Sequence, residues 1–291
     1  MSEELHISKE VTLKDVFLVV WESKILIASL TSLAALISIV WALSSEPIYR
    51  SVAILEYNGK SENNTSLDGF AGSLGGLAQS FLNTTNREVS LMFSQEEAVA
   101  YLQSREVIVD FFHKYDVAQT LYPEIWNDET KEWLDPENVE ITDWKLYNNF
   151  LRDFFQIKVD QVSKLIYLTI TMGDPVITEK WNRGLIDVVN AKGRDYYNSR
   201  MDKRVYEAEK ILKNSSEIVL SDQSAKFIET LKREQLNENT KPDFLFSYVD
   251  EPVVPVQRFA PNRTNMVLMG TFSGGVLSVI IAFVFGFLRN E

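Results

Sequence analysis

Two apolar stretches without a single charge sit near the two ends of this chain, and they leave it few ways to fold. The first runs from Ile25 to Leu43, 19 residues, and the second from Met266 to Leu288, 23 residues. At about 1.5 Å rise per residue, either one crosses a hydrocarbon core of roughly 30 Å as a helix. A helix lying on a soluble core keeps a polar stripe over that length, and neither stretch has one. Both are therefore expected to span a membrane.

The remaining segments follow from these two. Residues 1–24 form a short tail, 25–43 the first span, 44–265 a 222-residue loop, 266–288 the second span and 289–291 a three-residue tail. Two crossings put both tails on one side and the loop on the other. Basic residues near the span ends are nearly balanced, with Lys9, Lys14, Lys24 and Arg289 on the tail side against Arg50, Arg258 and Arg263 on the loop side. Large domains cross largely regardless of charge, so the expected topology has cytoplasmic tails and the loop outside the cytoplasm. The first stretch is longer than the roughly 7–15 apolar residues of a cleaved signal peptide, so it is expected to remain.

Composition narrows the function classes. The chain carries a net charge of −12, of which the loop holds about −10 from 35 acidic and 25 basic residues. A nucleic-acid-binding surface has the opposite balance. With no cysteine there is neither a disulfide nor a thiolate metal site. A loop of this size can bury a core without such staples.

Within the loop the pattern is mixed. Tyr49–Glu56, after Pro47, has strand character, and a Gly-dotted polar stretch follows from Asn58 to Asn86. Inside that stretch, Gly69–Leu82 is read as a connector running into a short helix, or as an interfacial or inter-subunit element. Ser94 with Glu97 forms a capping box, and Val99, Leu102, Val107, Ile108, Phe111, Phe112 and Tyr115 recur at helical spacing through two helices. Tyr122–Trp144, punctuated by Pro123 and Pro136, is loop-like, and a third helix covers Trp144–Asp153. Phe155–Val159 and Leu165–Met172 form an antiparallel hairpin, with Ile166, Leu168, Ile170 and Met172 on one face. Asp174-Pro175 supplies an N-cap acceptor and a first-turn proline for a long helix of about 176–236, with a weak break at Asn214-Ser215-Ser216. A helix that long exceeds a compact domain, so it is expected to protrude from a smaller base. Phe244–Asp250 returns as a strand. The fold class is α+β: two transmembrane helices flank a domain with a small mixed sheet base and a long protruding helix.

Little in the sequence carries reaction chemistry. His6 and His113 are the only histidines, and His6 lies in the tail. His113, in the amphipathic run Phe111–Tyr115, is the one candidate base for a nucleophilic triad, and a lone helical histidine is far more often structural. Neither a His-Glu-x-x-His motif nor a phosphate-binding glycine loop occurs. The acidic stretch Glu124, Trp126, Asp128, Glu129, Glu132, Trp133, Asp135 has the residue types of a glycosidase, without a fixed carboxylate spacing. No catalytic residue, metal ligand or cofactor is therefore assigned.

Two further groups are candidate contact sites. Arg194, Arg200, Lys203 and Arg204 lie among acidic neighbours on the long helix. They are read as a solvated, i,i+4-paired face, with inter-subunit or anionic-glycan contacts as the alternative. In the second span, Gly270 and Gly274, with Gly275 beside them, permit close helix packing, either against the first span or between copies.

Taken in order, several segments resemble the Wzz-type chain-length determinants, the polysaccharide co-polymerases of bacterial inner membranes. They are Tyr49-Arg50-Ser51 after the first span, Leu102-Gln103-Ser104-Arg105, and the strand leading to Asp174-Pro175. Phe244 to Pro255 with Pro261-Asn262-Arg263 completes the series. Two departures stand out: Glu251 separates Asp250 from Pro252, and Ala260 stands where a serine is usual. The resemblance implies a periplasmic domain whose long helices assemble into a homo-oligomer. Acting with the membrane polymerase, that oligomer sets the length of a surface polysaccharide such as lipopolysaccharide O antigen. The bilayer is a further expected partner through the two spans, and the nascent glycan is a candidate one. It also implies that Pro252, Pro255, Pro261 and Arg263 are functionally sensitive, and that this is a short form without the tyrosine-kinase domain of longer relatives. A two-span sensor with a separate output partner is the alternative from another class, and an anchored glycan-processing enzyme a third.

Overall fold

A computed structural model of the chain describes residues 20–59, 93–127, 129–130, 132–133, 142–214 and 218–289. It divides into two compact units, one of residues 1–49 with 257–291 and one of residues 50–256.

In the first unit, α1 (Lys24–Ser44) and the final helix α8 (Arg263–Arg289) carry the two apolar stretches. Mean hydropathy reaches 2.3 and 2.2 over their best windows, with 6% and 11% of those residues buried. Apolar helices left this exposed suit lipid as their surroundings rather than a protein core. Ala34 faces Gly274 and Ser38 faces Gly270, while Thr31 Oγ1 lies 3.1 Å from Ser278 Oγ. Rising numbers on α1 thus meet falling numbers on α8, so the pair is antiparallel.

The second unit is α+β. Strand β1 (Tyr49–Tyr57) is followed by α2 (Gln95–Leu102), α3 (Arg105–Lys114), α4 (Val117–Leu121) and a two-residue ladder of β2 (Trp126–Asn127) and β3 (Glu132–Trp133). Next come α5 (Asp143–Asp153), β4 (Phe155–Val159), β5 (Ile166–Met172), α6 (Pro175–Asn214), α7 (Ile218–Asn239) and β6 (Phe246–Asp250). The main sheet has the order β4-β5-β1-β6, with β4–β5 and β1–β6 antiparallel.

The starts of the helices are written in the sequence. Ser94 accepts from the Glu97 N–H while Glu97 accepts from the Ser94 N–H, completing the capping box of α2. The Ser104 and Thr142 hydroxyls accept from the Val107 and Lys145 amides as simple N-caps of α3 and α5, and Asp174 Oδ1 accepts from the Val176 and Ile177 amides at the start of α6. In the β4–β5 turn, Asp160 Oδ1 accepts from the Val162 and Ser163 amides, and Lys164 takes a positive φ of 59°.

The core is an aromatic knot overlain by a helix buried on two sides. Phe111 of α3, Phe150 of α5 and Trp181 of α6 have ring centroids 5.7–6.2 Å apart, and Trp181 stands edge-on to Phe111 at 89°. Such pairs add about 0.5–1.5 kcal/mol each beyond area burial. The other side of α6 faces the sheet through two buried asparagines. Asn182 donates to the carbonyls of Ser51 on β1 (3.0 Å) and Leu168 on β5 (3.2 Å). Eight residues further, Asn190 donates to the Phe246 carbonyl and accepts from the Leu245 and Phe246 amides, each at 2.9 Å.

Two expectations are corrected. The long helix does not run unbroken over 176–236. It ends at Asn214, and α7 returns antiparallel along it, with Asn198 bonded to Gln235 and Asn239 and Glu209 paired with Lys232. The physical reason is burial: the Met201, Val205 and Ala208 stripe needs an apolar partner, and Ile228 and Leu231 supply one. The segment Tyr122–Trp144 is not wholly loop, since it holds the β2–β3 ladder. Gly69–Leu82 lies outside the described residues.

Asn190→Ala leaves three buried backbone groups without their partner. It should lower the unfolding free energy of the full chain by about 3 kcal/mol, measured by denaturant-induced loss of far-UV circular dichroism in detergent micelles.

Candidate functional site

Three places carry the predicted site residues: the helix pair, the chain leaving β6, and the basic face of α6. In the helix pair, a Cβ built on Gly270 falls on the Ser38 hydroxyl, and one built on Gly274 falls on the Ala34 methyl. Gly275 has room, with Thr31 atoms at 3.8–3.9 Å. The Gly-x-x-x-Gly pair is thus used within the chain, one of the two packings left open by sequence. Where α1 ends, Ile48 N–H donates to the Ala260 carbonyl (2.8 Å) and Phe259 N–H donates to the Ile48 carbonyl (2.7 Å), tying the two chain ends of this unit together. The Ala260-Pro261 peptide is cis. Arg263, the first residue of α8, donates through Nη2 to the carbonyls of Ser45 (3.2 Å) and Leu43 (3.4 Å). A cation there meets the carbonyl end of α1, where the helix dipole is negative.

In the second unit the chain beyond β6 is pinned at its start. Pro252 is buried and Pro255 half-buried, while Val253, Val254 and Val256 are exposed. Ser51 Oγ on β1 donates to the Val253 carbonyl at 3.2 Å. From α6, Arg183 reaches across with all its nitrogens engaged: Nε to Glu179 (2.9 Å), Nη1 to Glu251 (3.0 Å) and Nη2 to the Pro252 carbonyl (3.4 Å). Its guanidinium carbon lies 5.8 Å from the Tyr248 ring centroid. One turn along α6, burial pushes the Asp187 carboxyl above the ordinary carboxylate range, aided by Asp243 and opposed by Lys114 and Arg183. Burial likewise pushes the Tyr248 hydroxyl up, with Asp187 adding to the effect.

On the basic face of α6, Arg194 and Lys192 reach partners outside their own helix. Arg194 Nη2 donates to the carbonyls of Lys241 (2.6 Å) and Pro242 (3.0 Å), and its guanidinium covers the Phe244 ring. Through Nη2 it fastens the turn after α7 within the chain. Arg200 stacks on Tyr196 one turn earlier and bonds its hydroxyl at 3.2 Å. Lys203 is exposed and Arg204 half-buried. Lys192 pairs with Glu106 (3.2 Å) and Asp110 (2.5 Å) of α3 rather than with its own helix. Packing of α3 and α7 onto α6 supplies these partners, which spacing along one helix does not show.

His113 Nε2 lies 3.7 Å from Asp143 Oδ2, both side chains being well exposed. It lines an open groove with Asp110, Lys192 and Asp195. In the acidic stretch, β2 and β3 set Trp126 opposite Trp133, and Asn127 Oδ1 accepts from the Glu129 and Thr130 amides. Asp128 and Asp135 lie outside the described residues. Among the described residues no three His, Asp or Glu side chains gather as a metal site. Sequence reasoning missed Arg183, Asn182 and Asn190; asparagines eight apart within an apolar helix face were the available signal for the last two.

Comparison with known proteins bears on this arrangement. Residues 9–114 match the family model described as Wzz, chain length determinant protein. No curated protein sequence matches the chain. Among solved structures, it is similar to a full-length bacterial polysaccharide co-polymerase at 15% identity and a TM-score of 0.41, over 96% of this chain and 99% of that one. It is also similar to a fragment of WzzB, a polysaccharide co-polymerase from Salmonella Typhimurium, at 14% identity and a TM-score of 0.30, over 74% of this chain and all of that one.

Two outcomes follow. Gly274→Leu should separate α1 from α8 and make the spans more protease-sensitive in detergent, whereas Gly275→Ala leaves them unchanged. Asp187→Asn should raise stability at pH 7 and leave it unaltered in acid below the unfolded carboxylate pKa. An Asp whose folded pKa is raised loses native stability as pH climbs from the unfolded value through the folded one. Thermal melts across that range read the difference.

Proposed function

We propose that this chain, a member of the Wzz chain-length determinant family through residues 9–114, sets the length of a surface polysaccharide, most simply lipopolysaccharide O antigen. The family match carries the proposal, since it covers the first span, β1, α2 and α3. The two apolar helices near the ends support a two-span inner-membrane anchor with cytoplasmic termini and a periplasmic domain at 44–265. In this reading the protein is a regulator and not an enzyme. It works as a homo-oligomeric scaffold beside the membrane polymerase.

Residue roles follow in the same voice. Pro252, Pro255, Pro261 and Arg263 guide the chain from the domain into the second span. Proline restricts φ, so each one removes ways for that segment to bend. Gly270 and Gly274 let the two spans pack closely, with Gly275 beside them at ordinary contact distance. Lys203, exposed on α6, is offered to a neighbouring copy or to the nascent glycan.

Deleting the gene and resolving the surface polysaccharide on a gel tests the proposal. The modal cluster of long chains should collapse to a short or unregulated ladder and return on complementation. An unchanged ladder, with no second copy of the gene present, would refute length control and favour a two-span sensor.

A further inference from the structure

We propose that Arg183 is a positioning residue: it clips the start of the proline-bearing segment to α6, and this clip keeps the modal polysaccharide length narrow. The second half rests on the length-regulator reading; the first does not.

The inference begins with Glu251, which lies between Asp250, the last residue of β6, and Pro252. Its role lies across the gap. Glu251 Oε2 accepts from Arg183 Nη1 at 3.0 Å, and the same guanidinium donates to the next residue's carbonyl, that of Pro252, at 3.4 Å. Pro252 lacks an N–H, so a ladder bond cannot hold the chain there. Arg183 holds it instead, gripping one side chain and one carbonyl that are adjacent in sequence.

Arg183 is itself fixed. Glu179, one turn earlier on α6, takes Nε at 2.9 Å, and Tyr248 of β6 lies under the guanidinium plane at 5.8 Å. A planar fork with both rims and one face occupied loses less freedom on binding than a lone exposed pair. An isolated surface ion pair contributes little, and a network of four contacts around one arginine is the geometry in which such charges do count. Asn182, the preceding residue, is bonded to β1 and β5, so the helix at this point is rigidly seated on the sheet. The segment beyond β6 is therefore referenced to the sheet through α6. Ser51 gives a second point of attachment at the Val253 carbonyl.

The chain contains no cysteine, so a single introduced one can carry a nitroxide label without background. Val254→Cys, exposed by 45%, reports on the segment, and Val162→Cys, exposed by 94% in the β4–β5 turn, serves as control. With the full chain in phospholipid liposomes, Arg183→Gln should sharpen the spectrum at 254 and leave that at 162 unaltered. Glu251→Gln should do the same, and Arg183→Lys should restore only part of the restraint, since an ammonium cannot grip side chain and carbonyl together. In the deletion strain, both glutamine variants, expressed at wild-type level, should broaden or displace the modal cluster.

Unchanged spectra at 254 in both glutamine variants overturn the clip. Sharpened spectra with an unaltered modal cluster overturn its role in length control. If the wild-type gene itself restores no modal cluster, the length-regulator reading fails, and the spectra alone decide whether Arg183 holds the segment.

Discussion

Two asparagines inside a hydrophobic helix hold the folded domain in register. A buried amide must find partners for both donor and acceptor or cost a few kcal/mol, so it tolerates far fewer placements than a leucine would. Asn182 bonds carbonyls on β1 and β5, and Asn190 bonds both kinds of backbone group at the start of β6. Together they fix where α6 lies along the sheet and how it is rotated. Once that is set, Trp181 is turned toward Phe111 and Phe150, and Arg183 toward the chain leaving β6.

This explains why charges on α6 serve different ends along its length. Near its start they meet strand residues and the exit segment; in the middle Lys192 reaches the carboxylates of α3; further on, Arg194 closes over the turn that follows α7. A strip of alternating charge on one helix thus joins several elements. The candidate contact residues left facing solvent are correspondingly few, with Lys203 foremost.

Much of the architecture was legible in the residues, and the reasons are local. The capping residues Ser94 and Asp174 act within their own first turn, and the β4–β5 alternation has period two, so spacing alone identifies them. The apolar stretches were legible because lipid demands uninterrupted hydrophobicity. The fold-back of α7 was only hinted at by Asn214-Ser215-Ser216, since helix-forming residues continue on both sides and the choice between one rod and a hairpin depends on tertiary burial. The glycine pair in α8 announced close packing but not its partner. For Arg194 and Arg183, nothing in the sequence distinguishes a guanidinium that grips a distant carbonyl from one that is solvated.

The α6–α7 hairpin has one more consequence. Beyond Tyr197 its stripe of Met201, Val205 and Ala208 is buried in one cluster with Ile228 and Leu231 of α7, and its seam is crossed by Asn198–Gln235 and Glu209–Lys232. None of these contacts involves the sheet. Matched turns can therefore be added to or removed from both arms, leaving the base intact, with each added pair of turns bringing its own partner. The height of this arm is a quantity evolution can change by small duplications and deletions while the asparagine-seated portion of α6 stays the same.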